Sequence, residues 1–228
     1  MEATNQSNHA MKLYSHPMSS CSRRVRLGLE FKGLKYECIN ITSAGDPELL
    51  KINPMGYVPA LMDGTTVVSD SFAILLYLEE KYPQHALLPK DLMRKSINYQ
   101  AASIVSSSIQ PLQNLVLVNY IGELVSPDEK LPWAQYHIRK GFVALEKLLG
   151  NYAGTYATGD EIYLADLYLA PQLDNGINRF KLDMTEFPLL LKLSKTYNET
   201  PSFRQILTET LQQHTDKNVL DFIKQQEA

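Results

Sequence analysis

The chain has 228 residues, 44% of them hydrophobic and 21% charged, which suits one sizeable core or two modest ones and excludes disordered and fibrous classes. Its formal net charge of -3 leaves no broad basic surface to neutralise phosphates, so nucleic acid is not an expected partner. The two cysteines, Cys21 and Cys38, lie far apart with no Cys-x-x-Cys spacing and no paired histidines nearby, which argues against a disulfide framework or a structural zinc and fits a reducing compartment. No stretch approaches the ~18 consecutive apolar residues of a membrane span, so no membrane partner is expected and the cytoplasm is the default location. Residues Met1 to Met11 are polar, without arginine or an apolar run, and read as a mobile tail rather than a targeting signal.

Lys12 to Ser15 reads as a strand that Pro17 ends, and from Val25 the apolar residues fall at helical spacing through Gly28, Leu29 and the stem of Lys32. The run Ser19-Ser20-Cys21-Ser22-Arg23-Arg24-Val25-Arg26 therefore opens a helix. Backbone N–H groups there lack intrahelical partners and the helix dipole is positive, so cations are disfavoured in the first turn. Three arginines stand there anyway, which reads as an anion site that would also lower the pKa of Cys21. Taken singly, the serines are ordinary caps, the cysteine a small hydrophobe and the arginines a solvated face. Their clustering within one short run tips the reading toward function.

Tyr36 to Ile41 reads as a second strand reached through the Gly33 turn, which makes a parallel βαβ unit and places Cys38 in the core. Asp46-Pro47-Glu48 opens a short helix, and Asp63-Gly64-Thr65 joins Pro59–Met62 to Thr66–Val68 as an antiparallel hairpin. An amphipathic helix then runs from Ser71 to a proline stop at Lys81-Tyr82-Pro83. His85 to Asp91 is a linker, after which the chain reads as helix throughout: Met93 to Val125 interrupted at Pro111, Trp133 to Leu149, Leu164 to Asn175, Leu189 to Glu199 and Phe203 to Gln213. The expected fold class is α/β plus all-α, a small first domain at 12–85 and a larger helical bundle at 92–228. The apolar tail Asn218 to Lys224 reads as a further segment able to cover a cleft or a subunit edge.

This order, with Ser-Ser-Cys on the first helix, resembles the cytosolic glutathione transferases, whose first domain is thioredoxin-like. Asn53-Pro54-Met55-Gly56-Tyr57-Val58-Pro59-Ala60-Leu61 is similar to the family's cis-proline segment, and Ser69-Asp70-Ser71-Phe72-Ala73-Ile74 to its γ-glutamyl-binding turn. Gly159-Asp160-Glu161 with Ala165-Asp166-Leu167 is similar to the folding motif of its helical domain. The helix entrance, with Ile109-Gln110-Pro111-Leu112-Gln113-Asn114-Leu115, Gln172 and Asn178-Arg179-Phe180, resembles the zeta class, the maleylacetoacetate isomerases, and the plant members above all.

The resemblance implies that glutathione is the cofactor and that Ser19 holds its thiolate with the first helix's amides, Cys21 standing by; the two roles could be exchanged. Ser20, Ser22, Arg23 and Arg24 complete that end of the expected glutathione site, although Ser20 and Ser22 read equally well as cap and surface residues. Val58, before the donor-less Pro59, offers its backbone to a peptide ligand. Asp70 and Ser71 suit an amino-acid end group, with a plain capping acid as the even alternative for Asp70. Gln110 and Asn114, four apart on one helical face, would reach the ligand from the helical domain. Arg179 would grip a substrate carboxylate, or form an interdomain ion pair. Tyr14, Tyr57, Tyr120 and Trp133 read as packing residues.

The implied reaction is cis-trans isomerisation of an acidic diketo alkene, maleylacetoacetate to fumarylacetoacetate, by thiol addition, bond rotation and elimination, with the enolate stabilised by the protein. Conjugation or α-halo acid dehalogenation on the same thiol site is the alternative, and a non-catalytic carrier is a third. A homodimer is implied by the resemblance alone. Met18 stands where zeta relatives carry an arginine, Arg23 where an aromatic or histidine is common, and Tyr163 where a capping serine or threonine is expected, so half the capping box ahead of Asp166 is missing.

Overall fold

The computed structural model describes residues 11–43 and 45–213. Strand β1 (Met11–Ser15), helix α1 (Ser20–Phe31) and β2 (Tyr36–Asn40) form a parallel pair bridged by one helix, and β3 (Ala60–Asp63) and β4 (Thr66–Ser69) form the hairpin. The sheet order is β2-β1-β3-β4, with β1 and β2 parallel and the other two pairings antiparallel. Short α2 (Pro47–Ile52) covers one face over Ile41, Leu49 and Ala60, while α1 and α3 (Ser71–Lys81) cover the other. The turn into β4 needs positive φ, which Gly64 supplies at 63° without a Cβ penalty.

Two readings at this end are corrected. Met11 belongs to β1 and is buried, because its side chain points to the helix-covered face, and residues 1–10 lie outside the description. Cys38 is exposed rather than core, because β2 is an edge strand and the helices do not extend over it. The tail 218–224 also lies outside the described residues.

The helical part comprises α4 (Leu92–Ser103), α5 (Leu115–Leu124), α6 (Lys130–Leu149), α7 (Leu164–Asp174), α8 (Pro188–Glu199) and α9 (Pro201–Gln213). Helix α7 is buried on all sides, and one apolar core runs from Leu13, Val25 and Leu75 through Leu167 to Phe142 and Phe187. Buried Lys32 ties α1 to the end of α3: its Nζ donates to Glu79 Oε2 and Tyr82 O, both at 2.8 Å. Helix α1 meets α3 and α7 at Gly28, where a Cβ would come within 2.3 Å of Leu75 Cδ2. Gly28→Ala is therefore expected to destabilise the chain by ~1–3 kcal/mol through overpacking, measured by urea unfolding.

Candidate active site

The first wall of the site is the entrance to α1. Ser19 caps this helix, its Oγ accepting from Ser22 N at 3.2 Å, so the hydroxyl proton remains available to a ligand. Ser19, Ser20 and Cys21 all line a cavity of about 780 Å³ between the sheet's loops and the helical part. The next three residues do not line it, which corrects the expectation that the arginines of this turn face an anion. At about 100° of rotation per residue, Ser22 and Arg23 turn away from Cys21 into the interior, while Arg24 lies one turn behind Ser20 and Cys21; all three are buried and find polar partners.

Ser22 Oγ accepts from His16 N at 3.2 Å, which pins the loop ahead of the helix. Arg23 donates from NH1 to Asp174 Oδ2 and from NH2 to Asn175 Oδ1 at 2.6 Å. Arg24 lies over the Tyr168 ring at 4.5 Å, and its NH1 approaches Ser71 Oγ at 3.3 Å and Cys21 Sγ at 3.5 Å. It therefore stands behind two residues of the wall rather than on it.

The second wall comes from the loop after α2 and the start of α3. Asn53 shapes that loop, donating to Tyr57 O at 2.7 Å and accepting from Met55 N at 3.2 Å, and the Val58-Pro59 peptide is cis. Asp70 holds φ 76°, an uncommon region for a residue with a Cβ, and its Oδ1 accepts from Phe72 N at 2.8 Å and Ala73 N at 3.2 Å. Val58, Pro59, Asp70 and Ser71 all line the cavity.

The third wall is irregular. A π-helical stretch, Ile104–Ile109, follows α4, and Pro111, lacking an N–H, turns the chain into a short 3-10 segment, Gln110–Leu112. Gln110 and Asn114 both line the cavity, but they do not share a helical face: Asn114 is the N-cap of α5, its Oδ1 accepting from Val116 N at 3.0 Å. The segment is held from behind by a buried reciprocal amide pair, Gln113 with Gln172, at 2.8 and 2.9 Å. A second π-helical turn, Asn175–Arg179, continues α7 where the sequence predicted helix only to Asn175. Asn175, Arg179 and Phe180 line the cavity from this turn.

No carboxylate of the described residues pairs with Arg179. Burial, then the neighbouring Arg23 charge, push its pKa down to about 10, which leaves it cationic at neutral pH. Burial and Arg179 likewise lower the pKa of His16, whose Nδ1 accepts from Met18 N at 3.1 Å. Neutral His16 therefore leaves Arg179 as the fixed positive charge on this end of the wall.

The model for "Glutathione S-transferase, N-terminal domain" matches residues 13–86. A protein of Euphorbia esula named "Glutathione S-transferase zeta class" is 61% identical over 203 residues, spanning 87% of this chain and 90% of that protein. The chain belongs to the zeta class of glutathione transferases. Rat maleylacetoacetate isomerase is 42% identical over 199 residues, 84% of this chain and 89% of its own. A crystal structure of maleylacetoacetate isomerase from Anaeromyxobacter dehalogenans 2CP-1, with dicarboxyethyl glutathione and citrate in its active site, superposes with a TM-score of 0.78 at 36% identity, covering 86% of this chain and 90% of that one.

The residues of this zeta-class transferase fit glutathione. The Ser19 hydroxyl and the open helix entrance suit a thiolate, and the Asp70-Ser71 turn suits an amino-acid end group. Among the described residues no cluster of metal-ligating side chains occurs. Nor is any described helix long and apolar enough to cross a membrane. Sequence reasoning missed Tyr57 and Tyr120, which line the cavity and are half exposed, and Asn175, which carries no local signal because its place depends on a π-helical turn. Tyr14 packs against the small core beneath α2, and Trp133 donates from Nε1 to Leu112 O at 2.9 Å, steadying the Pro111 segment.

Proposed function

We propose that this enzyme isomerises maleylacetoacetate to fumarylacetoacetate, within tyrosine catabolism, as a cytoplasmic homodimer whose thioredoxin-like domain spans 12–85 and whose helical domain spans 92–228. The observation that carries the reading is the joint presence, in one cavity, of the α1 entrance and the carboxylate-free Arg179 guanidinium. Bound glutathione supplies the thiol nucleophile that adds reversibly to the conjugated double bond. Ser19 donates to that sulfur and stabilises its anionic form, with Cys21 alongside. Val58 offers backbone polar groups to the peptide, and Asp70 and Ser71 hold the amino-acid end. Arg179 aligns the substrate carboxylate so that the alkene meets the α1 entrance.

Maleylacetone, a stable stand-in for the substrate, tests the reading. Robust glutathione-dependent isomerisation is expected from the native protein. Ser19→Ala should reduce kcat by about 10²-fold, as loss of one donor to a developing anion does, and cost ~1 kcal/mol of stability through the lost cap. Glutathione binding without isomerisation would overturn it in favour of conjugation or α-halo acid dehalogenation, a detoxification role. Met18 and the apolar Leu115, Val116 and Leu117 on the same cavity favour that second reading.

A further inference from the structure

We propose that Asn175 is a donor to a substrate oxygen beside Arg179, and that Arg23, from behind, is the residue that orients it. The inference rests on the reading that an acidic substrate occupies the Arg179 end of the cavity.

A guanidinium has donors and no acceptor, so the Asn175 amide atom facing Arg23 NH2 at 2.6 Å must be the oxygen. That contact fixes the amide orientation. The Asn175 NH2 group is then committed to the other side. No described residue accepts a hydrogen bond from it, and Asn175 lies on the cavity wall at the start of the turn that ends in Arg179. The turn is braced as a unit: Arg23 NH1 binds Asp174 Oδ2, while Asp174 Oδ1 accepts from Asn178 Nδ2 at 2.7 Å. Arg23 is 1% exposed and its guanidinium thus spends its bonds on α7 and the π-helical turn, joining the glutathione-side helix to the substrate-side wall. A neutral NH2 beside a cationic fork provides two convergent donors for a carboxylate, or for a carbonyl oxygen that gains negative charge. Asn175 would touch substrate, whereas Arg23 is a positioning residue acting through it.

The test compares calorimetric affinities for S-(1,2-dicarboxyethyl)glutathione and S-methylglutathione, whose ratio isolates what the substrate end contributes. The native protein is expected to prefer the dicarboxyethyl adduct. Asn175→Ala should cut that preference roughly tenfold, the value of a hydrogen bond to a charged group, while S-methylglutathione binds as before. Asn175→Asp should cut it further by setting one carboxylate against another. Arg23→Met should match Asn175→Ala, the double variant should lose no more than either single one, and Arg23→Lys should recover part of the preference. That non-additivity is a signature that general loosening of the fold would not produce. Should Arg23→Met fail to fold, the two Asn175 variants decide the matter. An undiminished preference in Asn175→Ala, or losses that multiply in the double variant, overturns this assignment and leaves the isomerase reading intact. A native protein with no preference between the adducts overturns both.

Discussion

Arg179→Ala is expected to raise the stability of the protein while reducing kcat/KM for an acidic alkene by about 10²-fold. The guanidinium is partly buried, its pKa is depressed chiefly by burial, and no carboxylate among the described residues offsets its charge. A desolvated cation held against the Phe180 ring at 5.6 Å but facing no carboxylate of the described residues is destabilising, and removing it should return up to ~1 kcal/mol. The same fork would make a charge-assisted pair with a substrate carboxylate, an interaction of ~3 kcal/mol when desolvated, hence the hundredfold loss. Thermal melts and kinetics with maleylacetone and with a neutral electrophile check both halves. Lower stability with equal losses for the two substrates would make Arg179 a structural residue.

Asp166→Ala is expected to have the largest effect on stability, ~3–5 kcal/mol. Asp166 is fully buried at the start of α7, and its carboxylate accepts from Tyr163 N at 2.9 Å, Ala157 N at 2.8 Å and Tyr197 OH at 2.6 Å. The truncation would strand three donors inside the core. The Tyr163 hydroxyl donates instead to Glu161, so the cap works through Asp166 alone, as expected from the sequence. Burial raises the Asp166 pKa from 3.8 to about 6 against the opposing pull of its hydrogen bonds. The folded state thus binds this proton more tightly than the unfolded state. The stabilisation is complete below the unfolded pKa and is lost as pH rises through about 6, a window worth about 3 kcal/mol. Urea unfolding at pH 5 and pH 7 should show that Asp166→Asn flattens this slope.

How much of this was legible depended on whether the signal was local. Strand and helix order through Lys81 followed from periodicity, the Asp63-Gly64 turn and the Pro83 stop, all of which act within a few residues. The Ser19 cap and the Asp70 cap were equally local, since an oxygen reaches an N–H two or three residues ahead. Two of the misplacements depend on distant parts of the chain, and one on a local break. Cys38 alternates correctly for a buried face but sits on an edge strand that the described residues leave exposed. Gln110 and Asn114 have helical spacing, but Pro111 breaks the register between them. Arg23 and Arg24 read as part of an anion site at the helix entrance, yet their partners Asp174, Asn175, Ser71 and Tyr168 come from distant parts of the chain.

The sequence by itself therefore determined the elements, the order of the two parts and the helix entrance that carries Ser19 and Cys21, because caps, turns and periodicity are encoded within one or two helical turns. Only the tertiary structure decided which polar groups face the cavity. Docking α7 against α1 turned two of the three clustered arginines into braces, and the π-helical turn that follows set Asn175 and Arg179 on the wall. A buried guanidinium settles where long-range packing supplies oxygens or an aromatic face to receive it, and no local pattern states where those will be.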